Sequence, residues 1–314
     1  METAAAREQN PGAEETAAGD ASARRVEYFD ADFAWEDVAA ARREKCIGDE
    51  APPVLDEQDV ALRTDEEKLA ESWESFYAAH ANKFFKSRSY LAKAFPALAK
   101  AGSDEDRPTA TLGELGCGTG AAVLPLLKEI PQLVAQTVDV SPSAIEALQR
   151  GAAAAGLGPD RLTAGVCDIV RDPLPMAPGS LDFGLLVFTL SAISPTHHCR
   201  VLRALATALR PGGLMCFRDY GLFDMVQTRC KTRLGENWYI KQDGVQCYFF
   251  SVEYLEALFA SLGPEVSMHR VECKYVTVRN VNRKTGQNID RVFLNAVFQR
   301  AAPSDVSSPS PCDK

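Results

Sequence analysis

The stretch Thr111-Leu112-Gly113-Glu114-Leu115-Gly116-Cys117-Gly118-Thr119-Gly120 decides the fold. Apolar residues lead into it, and glycine then takes every second position, at Gly116, Gly118 and Gly120. A helix-compatible run follows from Ala121 to Ile130. That order predicts a strand, a tight turn and a helix. Glycine suits a sharp turn whose N–H groups a ligand must approach closely. The next apolar run, Leu133 to Val138, ends at Asp139, where a carboxylate can accept both hydroxyls of a ribose. A nucleoside-bearing cofactor at the edge of an open α/β sheet is the first expectation.

The glycine spacing separates cofactors. Dinucleotide folds carry G-x-G-x-x-G, whereas this turn reads E-x-G-x-G-x-G, with Glu114 two residues before the first glycine. The pattern resembles that of the S-adenosylmethionine-dependent methyltransferases with a Rossmann-like sheet. In that family the acidic residue, here Glu114, faces the cationic methionine end of the cofactor. A dehydrogenase would need the other spacing, and a glycine turn without function is the bland alternative.

Working outward, Ser141-Pro142-Ser143 opens a helix through Arg150, with serine as N-cap and proline at the first helical position. Arg161 to Val166 is a third strand that ends in Cys167-Asp168-Ile169. There the Asp168 carboxylate suits the adenine amino group, and the Ile169 N–H suits a ring nitrogen. Leu181 to Ile193 reads as the most buried strand, with Val187 toward the adenine face. An amphipathic helix, His197 to Leu209, turns through Arg210-Pro211-Gly212-Gly213 into a fifth strand, Leu214 to Phe217. A helix from Ser251 to Leu262 and strands near Ser267–Arg279 and Arg291–Arg300 close the sheet, the last one antiparallel. The expected fold is α/β: a Rossmann-like methyltransferase fold with a seven-stranded, mostly parallel sheet and helices on both faces.

Upstream, Arg24 to Lys45 has a helical pattern. Thr64 with Glu67 three residues on reads as a capping box for a helix carrying Leu69, Trp73, Phe76 and Tyr77. Such a stripe is core by default; the basic run after it keeps a lid role open. The expected organisation is an acidic, partly disordered extension over residues 1–63, a methyltransferase domain over 64–301 whose lid segment spans 64–100, and a disordered tail over 302–314.

With 46% hydrophobic and 25% charged residues, the 314-residue chain has the composition of a globular protein. Its longest apolar run, Gly184 to Ile193, is half what a membrane span needs, and Met1 to Ser22 lacks the apolar core of a secretory signal. A soluble protein of the cytoplasm or nucleus, without a membrane partner, is expected. Nine cysteines occur without a C-x-x-C pair, so neither a disulfide framework nor a metal site is expected; Cys117, Cys167, Cys216 and Cys273 read as buried small side chains. The net charge of −9 is uneven: residues 1–72 hold 20 acidic and 8 basic side chains. Residues 78–100 hold five basic and no acidic ones, and residues 269–300 hold seven and two. Those two stretches can track phosphates or form plain solvated faces.

Several motifs then act together: Ser72-Trp73-Glu74-Ser75-Phe76-Tyr77, Asn82-Lys83-Phe84-Phe85-Lys86-Ser87-Arg88, Phe217-Arg218-Asp219-Tyr220-Gly221, Leu234-Gly235-Glu236-Asn237-Trp238-Tyr239, Gln242-Asp243-Gly244, Tyr248-Phe249-Phe250 and Arg291-Val292-Phe293-Leu294. Over about residues 65–300 the chain resembles the methyltransferase-like enzymes that form 3-methylcytidine in the tRNA anticodon loop, at N3 of cytosine 32. Trp238 stands where relatives are expected to have phenylalanine. The resemblance implies S-adenosylmethionine as methyl donor, a lid helix bearing Trp73 and Tyr77 over it, and serine, threonine or arginine tRNA as substrate. It also implies, for some relatives, seryl-tRNA synthetase as a partner. Lys83, Lys86 and Arg88 would meet phosphates. Arg229, Lys231, Arg233, Lys241, Arg283, Lys284 and Arg291 would lie around the target nucleotide.

Chemistry narrows the catalytic candidates. N3 of cytosine has a free lone pair, so no base must remove a proton, but the ring becomes cationic as the methyl arrives. The site must align the atoms and stabilise that charge. Asp219 at the end of the fifth strand is the candidate, with Arg218 holding a phosphate or ordering Asp219; a simple Arg218–Asp219 rim salt bridge is the alternative. Tyr220 could stack on a base turned out of an unpaired loop. The D/N-P-P-Y/F motif of exocyclic amine methylation is missing after the fourth strand. A small-molecule or protein methyltransferase and a non-catalytic methyltransferase-like subunit are the competing readings.

Overall fold

A computed structural model describes residues 30–80, 86–102, 108–281 and 285–302. In chain order its helices are α1 (Trp35–Cys46), α2 (Glu57–Arg63), α3 (Glu66–His80), α4 (Leu91–Ala94), α5 (Pro96–Ala99), α6 (Val123–Glu129), α7 (Pro142–Ala154), α8 (Pro195–Ala208) and α9 (Val252–Ala260). The strands are β1 (Ala110–Leu115), β2 (Leu133–Asp139), β3 (Leu162–Val166), β4 (Leu181–Val187), β5 (Leu209–Tyr220), β6 (Thr232–Gly235), β7 (Trp238–Ile240), β8 (Gln246–Tyr248), β9 (Met268–Val281) and β10 (Asn288–Arg300).

Seven strands form one sheet in the order β3-β2-β1-β4-β5-β10-β9, with β10 antiparallel to both neighbours. This is the expected Rossmann-like sheet with its antiparallel last strand. Alternation of side chains across the pleat builds a core on each face. Met215 and Phe217 of β5 pack with α8 and α9 through Leu202, Leu205 and Phe259. Cys216 packs on the other face, with Leu126 of α6 and Leu148 of α7. Every residue of β4 is buried, as a central parallel strand requires. The chain order reverses between β1 and β4, and a ligand crevice lies outside the strand C-termini at such a point.

Several boundaries differ from the sequence reading, each for a local reason. Asp30–Ala34 is not helical: Ala31 bridges Thr277 of the edge strand β9, and Thr277 N–H donates to Asp30 O at 3.1 Å. Asp65, not Thr64, caps α3, accepting the Lys68 N–H at 3.1 Å; the Thr64 hydroxyl donates back to Val60 O and ends α2. Strand β4 stops at Val187 because Phe188 takes a left-handed conformation, φ 57°. The Arg210–Gly213 segment lies within β5 as an irregular entry whose register slips against β4. Ser141 caps α7 as expected, accepting the Ala144 N–H at 3.1 Å.

The polar insertion 229–246 folds as a second, three-stranded antiparallel sheet, β6-β7-β8. With α1, β7 and β8 share a third core around Phe223, Tyr239 and Phe249. Cys117, Cys167, Cys216 and Cys273 are buried free thiols. No helix among the described residues is long and apolar enough to cross a membrane.

Candidate active site

The ends of β1, β2, β3 and β4 and the underside of α3 line a cavity at the C-terminal edge of the sheet. Trp73 and Tyr77 form its roof, with Gly116, Asp139, Asp168 and Ile169 on its walls. Asp139 accepts the Gly118 N–H at 2.8 Å on one oxygen and the Ser141 N–H at 3.0 Å on the other. Burial raises its pKa in spite of both bonds. Gly118 has φ +52°, and a Cβ there would sit 2.6 Å from the Tyr77 hydroxyl oxygen. Only glycine lets the roof come this close to the turn. Gly116 faces Thr189 in the same way, whereas Gly120 packs on Leu148, away from the cavity.

Two carboxylates fasten the roof helix. Glu74 accepts the Ser141 hydroxyl at 2.5 Å, the Ser143 N–H at 3.1 Å and the Ser143 hydroxyl, all at the N-terminus of α7. Those hydrogen bonds hold the Glu74 carboxyl below the ordinary carboxylate range. At the other end, Glu66 pairs with His197 of α8 and, at 3.5 Å, with Arg171. Asp168 accepts the Val170 N–H at 2.9 Å and lies 3.8 Å from Arg171.

Glu114 is buried at the end of β1, and its Oε2 has no hydrogen-bond partner among the described residues. Burial pushes its carboxyl up to about 8, against the pull of the Arg88 guanidinium. An unpartnered buried carboxyl oxygen is costly unless a donor or cation completes it. A nucleoside cofactor with a cationic amino-acid end fits these acceptors: a hydroxyl acceptor at Asp139 and the unpartnered Oε2 of Glu114.

An open groove adjoins the cavity and shares Trp73, Tyr77, Gly116, Phe188, Ala192 and Gln246 with it. Glu114, Gly118 and Val187 line the groove, so Val187 lies apart from Asp168 and Ile169. Seven cationic side chains line the groove against two acidic ones. Among them are Lys86, Arg88, Arg229, Lys241 and Arg291, with Tyr220 between them. Arg88 lies over the Phe188 ring, 4.3 Å from its centroid. Arg291 also serves the fold, because its Nε donates at 2.8 Å to the fully buried Asp224. Lys241 pairs with Asp243 at 3.0 Å. Lys231 and Arg233 lie off the groove; Arg233 donates to Gly235 O within its own hairpin. Lys83, Arg283 and Lys284 lie outside the described residues.

Arg218 and Asp219 leave β5 on opposite faces, as successive strand residues do. Arg218 lines the groove, donates to Asn295 Oδ1 at 2.6 Å and lies over the Tyr90 and Phe293 rings. Asp219 is fully buried. It accepts the Ser191 N–H at 3.0 Å and the Tyr220 N–H at 2.8 Å. Burial pushes its carboxyl up to about 6, opposed first by hydrogen bonding from Ser191. Asp219 therefore fixes the turn after β4 from behind.

Residues 113–213 match the profile of a methyltransferase domain. The chain is 36% identical over 237 residues to the human tRNA N(3)-cytidine methyltransferase METTL6, covering 74% of this chain and 81% of that protein. This chain belongs to the tRNA N(3)-cytidine methyltransferase family. A second relative, the tRNA N(3)-methylcytidine methyltransferase trm140 of Schizosaccharomyces pombe, is 32% identical over 272 residues, 85% of this chain and 84% of that one. Among solved structures, the magnesium protoporphyrin IX methyltransferase of Synechocystis with bound SAH matches 76% of this chain and 100% of its own, at TM-score 0.53 and 11% identity. That likeness shows the fold, that of the S-adenosylmethionine-dependent methyltransferases.

Sequence reasoning missed Phe188, Ser191 and Gln246 on the walls of these spaces. Phe188 carried no signal beyond the end of an apolar run. Gln246 sits on a three-residue strand too short to show a period.

Proposed function

We propose that this protein transfers a methyl group from S-adenosylmethionine to N3 of cytosine 32 in the anticodon loop of serine, threonine or arginine tRNA, in the cytoplasm or nucleus. Seryl-tRNA synthetase is the proposed partner for the serine acceptor. The observation that carries the reading is the shared wall: a cavity lined by Asp139 and Asp168 opens onto a cationic, aromatic-lined groove at Phe188, Ala192 and Gln246. A small apolar substrate would not need that cationic groove.

The bound cofactor supplies an electrophilic methyl on a sulfonium. In this reading Asp139 takes the ribose hydroxyls, Asp168 and the Ile169 N–H take the adenine edge, and Glu114 takes the amino group. The Gly116–Gly120 turn leaves room for the cofactor, and Trp73 and Tyr77 exclude water from above. Phosphates of the RNA lie on Lys86, Arg88, Arg229 and Lys241, whose charge draws the polyanion in and orders the loop. Arg218 takes a phosphate or a base edge, and Tyr220 and Phe188 offer rings to the unstacked cytosine.

The N3 lone pair forms the new N–C bond as the S–C bond breaks, so no residue need remove a proton first. Positive charge passes to the pyrimidine. Asp219, ionised above about pH 6, holds Ser191 and places a buried negative charge behind the turn that faces the base. It acts as a positioning and electrostatic residue. In the same reading, residues 1–63 are an acidic extension of the 64–301 methyltransferase domain.

The test is methyl transfer from labelled S-adenosylmethionine into total tRNA lacking 3-methylcytidine, with and without seryl-tRNA synthetase, followed by nucleoside analysis. Labelled 3-methylcytidine is expected. Label in another nucleoside, or none despite measurable cofactor binding, would refute the assignment.

A further inference from the structure

The turn that separates cavity from groove is held by a polar link whose far end lies in the second sheet. Trp238 Nε1–H, on β7, donates to Gln246 Oε1 at 3.1 Å. Gln246 Nε2–H, on β8, donates to Ala192 O at 2.8 Å. Gln246 is 1% exposed, and its amide has one orientation that satisfies both contacts. Reversed, it would set N–H against N–H and carbonyl against carbonyl. The preceding residue in the turn, Ser191, donates its N–H to Asp219.

Neither polar atom is required for filling space. Leucine has nearly the volume of glutamine, and phenylalanine could occupy the Trp238 position, which the resemblance described above leads one to expect in relatives. What the indole N–H adds is a donor that locks the amide, and what the amide adds is a donor that locks the Ala192 carbonyl. A buried hydrogen-bonded link of this kind specifies one position rather than adding much stability. The turn it fixes starts at Phe188, whose left-handed backbone is strained and needs support from its surroundings.

We infer that Trp238 and Gln246 are positioning residues. Through Ala192 they set turn 188–192, so that a base entering the groove meets the methyl in line. The inference rests on the methyltransferase reading above. An error of about 1 Å in such alignment can cost on the order of 100-fold in rate.

The experiment compares wild type, Trp238→Phe, Gln246→Leu and the double variant in steady-state methylation of serine tRNA. Hydrogen exchange of the apo proteins is followed in parallel. Each single change is expected to lower kcat about 10-fold. Both KM values should stay within about twofold, and the double variant should be no slower than Gln246→Leu. Amides 190–193 should exchange roughly 10-fold faster in every variant, since the turn opens locally. A purely structural role would lower Tm with kcat per folded molecule unchanged, or would give single effects that multiply; either overturns the inference. Should Gln246→Leu fail to fold, Trp238→Phe keeps an aromatic ring and carries the test alone. If wild type makes no 3-methylcytidine, the functional reading fails, while the exchange data still decide whether the link holds the turn.

Discussion

The cavity and the groove are built on different plans. The cavity is made of backbone and carboxylates at the ends of neighbouring strands, Asp139 on β2 and Asp168 after β3, with Glu114 of β1 beside it on the groove. The groove is made of long cations and rings from segments far apart in sequence: Lys86 and Arg88, Arg218 and Tyr220, Arg229, Lys241, Arg291 and Phe293. One is preorganised by the sheet and holds acids in low dielectric. The other is larger and cationic. The lesson is that ligand affinity in the cavity should depend on single buried groups, and in the groove on the sum of many weak ones.

The strongest way to break this contrast is Asp139→Ala. It removes the acceptor that organises the turn and leaves the Gly118 and Ser141 N–H groups without it. Cofactor affinity should fall roughly 100-fold, the scale of a lost charged hydrogen bond plus unpaired donors. Affinity for tRNA, measured without cofactor, should stay within about twofold. A loss in both would mean that the two regions are one cooperative site.

The next effect is a pH dependence of cofactor binding. The free Glu114 carboxyl has its pKa raised to about 8, so it is largely protonated at neutral pH. A cationic group bound against it favours the carboxylate, so binding releases a proton, and affinity must rise with pH until about 8. Titration calorimetry should show a gain of about tenfold per pH unit well below that point. Glu114→Gln should flatten the profile. A flat wild-type profile would place the cationic end elsewhere.

The smallest expected effect is in the groove. Lys86→Ala should weaken tRNA binding only about 3-fold near physiological salt and reduce the slope of log affinity against log salt by roughly one. Cofactor affinity should not change. An unchanged slope would remove Lys86 from the phosphate path.

This contrast also explains what could be read in the sequence. Asp139 and Asp168 lie at strand ends that apolar runs and glycine spacing announce, so local pattern placed them. The seven-stranded sheet with its antiparallel last strand followed from the same units; its strand order did not. The groove has no local pattern, because it joins the segment before α4, the end of β5 and two hairpins. Charge alone could not separate Lys241, on the groove, from Arg233, turned into its own hairpin. It could not reveal that Arg291 is spent partly on buried Asp224 either. The Phe217–Gly221 motif drew attention to Asp219 but did not show its burial, since strand alternation there depends on where β5 begins. Thr64 reads as the N-cap in the sequence, but its hydroxyl is spent on Val60 O at the end of α2, and Asp65 caps α3 instead.

The most direct test of the account uses two serine tRNA transcripts that differ only at nucleotide 32, cytosine or uracil, with S-adenosylmethionine and seryl-tRNA synthetase present. Uracil carries a proton at N3 and offers no free lone pair there. The account predicts 3-methylcytidine at nucleotide 32 of the first transcript and no methylation of the second. Equal label in both transcripts, or none in either while calorimetry shows cofactor bound, would contradict it.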